Sequence, residues 1–229
     1  MSILLHGDCL ELLNEVEDNS VDFIFCDLPY GQTSLETNPW DIPLDLNLLW
    51  IHLLRVKKER TPIFFTTTTK YGYELLKYQP FKCPFRYDIV WSKSISTGFL
   101  TAKKLPLRSH EMIYVFYEKT PFYDLSTHMP KFTEEECENL KTAGPRYDPP
   151  LPKSVIKIKS TKGSHSTEKP VELIQYLLKY FSKEGDTILD PTMGSGPVGV
   201  ASKIMKRNFI GIEKNPTFYN TANNRINES

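Results

Sequence analysis

Asp27-Leu28-Pro29-Tyr30, followed at once by Gly31, brings a carboxylate, a rigid turn and an aromatic ring together within four residues. The run before it, Val21-Asp22-Phe23-Ile24-Phe25-Cys26, is short and apolar, the pattern of a buried strand. In an open α/β sheet, ligands gather at the carboxyl ends of the strands. A carboxylate and a fixed main-chain carbonyl can accept the two hydrogens of an exocyclic amino group, while a flat ring covers the heterocycle that carries it. The stretch therefore predicts a site for an amino-bearing heterocycle.

A second constellation lies far along the chain, at Asp190-Pro191-Thr192-Met193-Gly194-Ser195-Gly196. It reads as a strand end, a glycine turn and a helix start. Glycine lets the backbone approach a ligand closely, and the helix start favours a negative group such as a carboxylate. Glu213 ends the next strand about 20 residues further on, a spacing at which an acid can hold ribose hydroxyls. The turn is G-x-G followed by Pro197, not G-x-G-x-x-G, which disfavours a dinucleotide pyrophosphate. A nucleoside with an amino-acid tail fits better, and S-adenosyl-L-methionine has that form. Either constellation alone is weak, because short D-x-P-Y strings arise by chance and GSG turns often serve only packing.

The elements that must position these residues follow from periodicity. Strands are expected at Ile3–His6, Val21–Cys26, Pro62–Thr67, Tyr87–Trp91, Met112–Tyr117, Thr187–Leu189 and Phe209–Ile212. Helices are expected over Cys9–Val16, Asp45–Val56, Lys70–Tyr78, from Pro170 to Phe181, after Gly196, and over Pro216–Ile226. Gly31–Pro43 and Ser92–His110 read as loops. Residues 118–164 are rich in proline and polar groups, with one short exposed helix near Glu134–Glu138; a loop that long is usually functional or disordered. Strands and helices alternate otherwise, which predicts an α/β, doubly wound, mainly parallel sheet in one domain over 1–229.

Composition is that of a globular chain: 229 residues, 40% hydrophobic, 24% charged, formal net charge zero. Zero net charge counts against a protein that coats nucleic acid without selectivity. Cys9, Cys26, Cys83 and Cys137 lie far apart with no C-x-x-C pair, which argues against zinc or a disulfide scaffold and for reduced thiols in a cytoplasm. No signal peptide is indicated and no run is long enough to span a membrane.

With both constellations in place, the chain resembles the β group of amino-methylating DNA methyltransferases, in which a D/N/S-P-P-Y motif precedes an F-x-G-x-G motif. Asp27-Leu28-Pro29-Tyr30 resembles the first and Pro191-Thr192-Met193-Gly194-Ser195-Gly196 the second. His165-Ser166-Thr167-Glu168-Lys169-Pro170 resembles the family's H-P-T-Q-K-P stretch. Gly211-Ile212-Glu213 with Tyr219, Ala222, Arg225 and Ile226 resembles its ending. Gly7-Asp8, Trp40-Asp41, Trp91-Ser92-Lys93 and His110-Glu111 fall where the family has similar pairs. The resemblance spans nearly everything outside 118–164, and the shortened form, with Asp-Leu-Pro-Tyr-Gly and then Trp-Asp, resembles stand-alone enzymes common in phages and prophages. It departs at Leu28 for a proline, at Thr192 for an aromatic residue and at Pro197 for a threonine.

The resemblance implies a seven-stranded methyltransferase sheet in circularly permuted order, with methyl transfer from S-adenosyl-L-methionine to adenine N6 in double-stranded DNA after base flipping. It assigns catalysis to Asp27, Leu28 (through its carbonyl), Pro29 and Tyr30. Asp8 and Cys9 would approach the cofactor adenine, and Glu213 the ribose. Lys169 and the turn Gly194, Ser195 and Gly196 would hold the methionine end, with Asp27, Asp190, Pro191 and Thr192 alongside. Tyr30 would stack on the flipped base. Trp40, Lys93, Lys103, Lys104, Arg108 and His110 are the candidate DNA contacts, with a second lysine run at Lys153, Lys157, Lys159 and Lys162. Residues 118–164 would read the target; their brevity points to a homodimer or a short site.

Plainer readings stand beside these. Trp40 and Trp91 suit packing, with Trp40 the better candidate of the two for function; His110 and His165 suit structural hydrogen bonds, Cys26 suits the core, and lysine runs are often ordinary surface. The alternatives for function are the same fold acting on cytosine N4 or RNA, or an inactive DNA-binding partner subunit.

Overall fold

In the computed structural model the main sheet runs β1-β10-β9-β2-β3-β5-β4-β8. The structure describes residues 1–229 except 34, 35, 37, 133, 134, 137–146 and 162–167. The strands are β1 Ser2–His6, β2 Phe23–Cys26, β3 Ile63–Thr67, β4 Phe85–Thr97, β5 Arg108–Phe116, β8 Val155–Lys157, β9 Thr187–Asp190 and β10 Asn208–Glu213. β1, β10, β9, β2 and β3 pair in parallel. β5 is antiparallel to both β3 and β4. β6 Met129–Pro130 and β7 Tyr147–Asp148 form a separate small ladder.

The helices are α1 Cys9–Leu12, α2 Leu46–Val56, α3 Thr69–Tyr78, α4 Val171–Phe181, α5 Pro197–Ile204 and α6 Pro216–Glu228. They divide between two apolar layers. One joins Phe23, Phe25, Phe64 and Phe209 to Leu173, Leu177 and Val198 of α4 and α5. The other joins Ile24, Phe65 and Phe116 to Leu49, Trp50 and Leu53 of α2 and to Leu75 of α3. β2, with all four residues buried, therefore reads as a continuous apolar run rather than an alternating one.

Helix starts carry the expected chemistry. Asp8, Asp45, Thr68 and Asn215 each accept a main-chain N–H in the first turn of α1, α2, α3 and α6. The α/β doubly wound expectation holds, and three details are refined. The helix expected over Cys9–Val16 is α1 followed by a 3-10 turn at Leu13–Glu15. β8, within the proline-rich 118–164 stretch, adds an eighth strand on the edge of β4. Ser92–His110 is not a simple loop: β4 and β5 continue into it as a hairpin arm, with a register break between Ser92 and Thr97 and a 3-10 turn at Phe99–Thr101. Its polar, exposed residues hid the strand pattern. Glu134, Glu138, Cys137, Lys162 and His165–Thr167 lie outside the described residues.

Candidate active site

The sheet order places β9 between β2 and β10, so the strand ends carrying Asp27, Asp190 and Glu213 are neighbours. Ile24 sits beside Leu189, Gly211 beside Asp190, and His6 of β1 beside Glu213. Two segments more than 160 residues apart thus share one rim. The join is direct: the Thr192 hydroxyl donates to the main-chain carbonyl of Asp27 at 3.2 Å.

Three side chains converge on the Asp27 carboxylate at this rim. The Thr66 hydroxyl donates to Oδ1. The Tyr30 hydroxyl is 3.1 Å from the same oxygen and 3.3 Å from Thr66 Oγ1, and its one proton serves one at a time. Lys169 Nζ donates to Oδ2 at 2.7 Å. A carboxylate has about four lone-pair sites, so these three donors leave room for one more, such as an amine hydrogen. The Leu28 side chain is buried in the core, which separates its packing role from its carbonyl.

Gly31 begins a turn gripped by a buried carboxylate. Asp41 accepts the N–H groups of Gly31, Gln32 and Thr33 at 2.8, 2.9 and 2.7 Å, and the Thr33 hydroxyl at 2.7 Å. Gly31 has φ +62°, and a Cβ there would meet Pro43 Cγ at 2.5 Å, so only glycine fits. The Tyr30 ring lies 5.0 Å from that of Tyr71, and both line a cavity of about 280 Å³ with Pro43, Leu46 and Tyr78. Trp40 is half-buried in the same loop.

On the other side of Thr192, Gly194 has φ +52° with open space where a Cβ would stand. Its N–H donates to Glu213 Oε2 at 3.0 Å, and Asn215 N–H donates to Oε1 at 2.7 Å, which fixes the carboxylate and leaves a lone pair on each oxygen. Ser195 Oγ donates to Glu168 at 2.9 Å, and Arg225 clamps Glu168 and the Ser195 carbonyl at 2.9 and 3.0 Å. Pro191, Ser195 and Gly196 are buried. Burial pushes the Asp190 carboxyl well above the usual range, and the charges of Asp27 and Glu213 add to this; a hydrogen bond from Thr192 N–H opposes it. Asp8 caps α1 and pairs with Lys214 at 2.9 Å. Cys9 is buried, and burial with the nearby Asp8 charge pushes its thiol up to about 12. Glu213 thus bonds the glycine turn directly, and Asp27 lies across Thr192 from it. These carboxylate acceptors beside an open turn suit a ligand with cationic sulfonium and ammonium groups and hydroxyls, as S-adenosyl-L-methionine has.

Two residues stand elsewhere than the motifs implied. Lys93 is not spread on the surface toward DNA: its side chain is 11% exposed and pairs with Glu111. Lys169 is buried with its ammonium on Asp27, not at the glycine turn. Burial disfavours its charge, but Asp27 and Glu111 outweigh that and raise its pKa. Lys103, Lys104, Arg108 and His110 are all exposed on the hairpin arm. Thr66, Asp41, Glu168, Glu111 and Arg225 complete the site although motif reading gave them no role. For Thr66 there was a usable signal, a polar residue at the carboxyl end of a predicted parallel strand.

Comparison with known proteins now bears on this arrangement. A DNA methylase family model, covering N6 and N4 types, matches residues 21–224. The chain belongs to that family. Among curated relatives, it is 28% identical over 254 aligned residues to the type II methyltransferase M2.LlaDCHI of Lactococcus lactis subsp. cremoris, covering 99% of this chain and 90% of that protein. It is 26% identical to M2.MboI of Moraxella bovis, covering 98% and 87%. Among solved structures, the methylase superposes on the M1.HpyAVI–SAM complex with TM-score 0.71 at 20% identity, covering 99% and 100%. The cytosine-N4-specific PvuII DNA methyltransferase gives TM-score 0.73 at 14% identity, covering 98% and 86%. At those identities the superpositions bear on the fold, which matches the expected methyltransferase sheet. Among the described residues, no helix is long and apolar enough to cross a membrane.

Proposed function

We propose that this methylase transfers the methyl group of S-adenosyl-L-methionine to adenine N6 in double-stranded DNA. The observation that carries the reading is the junction of Asp27 with the glycine turn: the residue whose carboxylate keeps an open acceptor site is bonded through its carbonyl to Thr192 of the cofactor motif. The adenine preference rests on Asp, rather than Ser, at the first position of the Asp27–Tyr30 motif.

S-adenosyl-L-methionine, when bound, supplies an electrophilic sulfonium methyl. The chain's own residues prepare the amine. An aromatic amine nitrogen is a poor nucleophile because its lone pair is delocalised into the ring. Asp27 and the Leu28 carbonyl accept its two hydrogens, which localises the lone pair; Asp27 is then placed to receive a proton. Thr66 and Lys169 hold that carboxylate fixed, and such pre-alignment can supply several kcal/mol of the barrier reduction. Tyr30 covers the base ring. Glu213 holds ribose hydroxyls, Gly194–Gly196 cradle the methionine end, and Asp8 and Cys9 border the adenine of the cofactor.

DNA meets the arm formed by β4 and β5, where Lys103, Lys104, Arg108 and His110 are exposed beside Phe99 and Leu100. No acid lies between Asp88 and Glu111, so the arm is uniformly cationic. Residues 118–164 are the region for target reading, with Trp40 on the loop above the base. The test is incubation with labelled S-adenosyl-L-methionine and unmethylated genomic DNA, followed by digestion to nucleosides and mass spectrometry. N6-methyl-2′-deoxyadenosine from wild type, and none from Asp27→Ala, is expected. N4-methyl-2′-deoxycytidine moves the substrate to the other base, and equal transfer by Asp27→Ala overturns the mechanism.

A further inference from the structure

Four side chains behind the rim form a line of alternating charge: Lys93 on β4, Glu111 on β5, Lys169 before α4, and Asp27 after β2. Lys93 pairs with Glu111, Glu111 Oε2 lies 3.5 Å from Lys169 Nζ, and Lys169 Nζ lies 2.7 Å from Asp27 Oδ2. Their side chains are 11%, 16%, 6% and 27% exposed, in that order along the line. Only Asp27 stands where a substrate amine would bind.

Glu111 is the informative member. Its Oε2 is buried and has no hydrogen-bond donor among the described residues. It faces Lys169 at 3.5 Å, longer than the 2.7 Å bond from Lys169 to Asp27. Its action on Lys169 is chiefly that of its charge. Burial raises the Glu111 carboxyl, but the ammonium groups of Lys169 and Lys93 outweigh this and hold it below the usual range. A buried ammonium with one carboxylate partner would spend its whole attraction on that partner, and attraction is strong where water is scarce. Here Lys169 is shared between two carboxylates.

We propose that Glu111 is a positioning residue for methyl transfer: anchored by Lys93, its charge draws Lys169 partly off Asp27 and keeps the Asp27 carboxylate available as an acceptor. This rests on the role given to Asp27 above. Lys93 acts only through Glu111, which makes it part of the site's interior rather than a phosphate contact.

The test uses the full chain, with methyl transfer to unmethylated genomic DNA measured for wild type, Glu111→Gln, Glu111→Asp, Lys93→Met and the Lys93→Met/Glu111→Gln double variant. Glu111→Gln keeps the shape and loses the charge. It should lower kcat roughly tenfold while cofactor affinity by titration calorimetry and the KM for DNA stay within about twofold, a coupling of ordinary size for neighbours. Glu111→Asp should recover part of the loss. Lys93→Met should lower kcat severalfold alone and add nothing in the Glu111→Gln background. A wild-type kcat in Glu111→Gln overturns the proposal. So do multiplying effects of the two substitutions, or a loss of rate fully matched by loss of folded protein in thermal melts. A wild-type chain that methylates no DNA overturns this inference and the functional reading together, whereas an active wild type with an unaffected Glu111→Gln overturns this inference alone.

Discussion

The Thr192 hydroxyl donates to the main-chain oxygen of Asp27 at 3.2 Å, so the residue opening the glycine turn holds the backbone of the residue opening the Asp27–Tyr30 turn. Thr192 is where the chain departs from the aromatic of the resembled F-x-G-x-G motif, and the bond gives the threonine a purpose. Thr192→Val keeps the shape and removes the donor. It should cost about 1 kcal/mol of stability, the usual net worth of one hydrogen bond, and lower kcat more than it raises the KM for cofactor. Urea unfolding together with steady-state methylation kinetics checks both halves.

The two glycines of the turn should respond differently to alanine. At Gly196, with φ +82°, a Cβ would stand 2.9 Å from the Ala222 Cβ. Left-handed strain and this clash together should cost about 2 kcal/mol, a fall in Tm of about 4–8 °C for a chain of this size. At Gly194 a Cβ meets nothing within 4 Å, so only the smaller backbone strain remains, while the methyl projects into the space assigned to the cofactor. Gly194→Ala should therefore melt within a few degrees of wild type but bind S-adenosyl-L-methionine roughly tenfold more weakly by calorimetry, a loss of about 1.4 kcal/mol.

Asp41 should make the turn after Tyr30 sensitive to acid. Burial raises its carboxyl, but hydrogen bonds from the Thr33 hydroxyl and the N–H groups of Thr33, Gly31 and Gln32 outweigh that and lower it below 3.8. A depressed carboxyl contributes stability that is fully present above its unfolded pKa and is lost as pH falls through the folded one. Asp41→Asn should thus be less stable than wild type at pH 7. The gap should close as pH drops below 3.8, the ordinary value for this side chain. Denaturant titrations across that range measure it.

The cationic arm should set the salt dependence of DNA binding. Replacing Lys103, Lys104 and Arg108 by alanine removes up to three phosphate contacts. The slope of log K against log salt should flatten by roughly 2 to 3, at about 0.9 per contact. Fluorescence anisotropy on a 30-base-pair duplex of arbitrary sequence gives the slope. Lys93→Met should leave it unchanged, since that ammonium is turned inward to Glu111.

The motifs were legible because each is local. Asp27–Tyr30 and Asp190–Gly196 sit where an apolar run gives way to proline or glycine, and the α/β alternation follows from periods of two and 3.6. What the sequence concealed depends on strand order. Thr66 meets Asp27 only because β3 lies beside β2, and Glu111 meets Lys169 only because β5 is laid antiparallel against β3. No spacing rule links these pairs. Lys93 looked like surface because it follows a strand in a polar stretch, but β4 continues past it and β5 supplies its partner. β8 was hidden for a different reason: three residues, of which only Ile156 is buried, carry too little apolar signal to stand out among prolines.

The position of β2 between β3 and β9 also orders events during synthesis. A ribosome releases β2 and β3 early, and they can pair at once. The other flank of β2 stays open until Thr187–Asp190 emerges, and β1 waits for β10. A nascent chain can therefore hold a formed Asp27 turn while no Thr192 or Glu213 yet exists beside it. Competence arrives only once Thr187 to Glu213 has been translated, so a chain stalled before that stretch would expose β2's bare edge without any capacity to modify DNA.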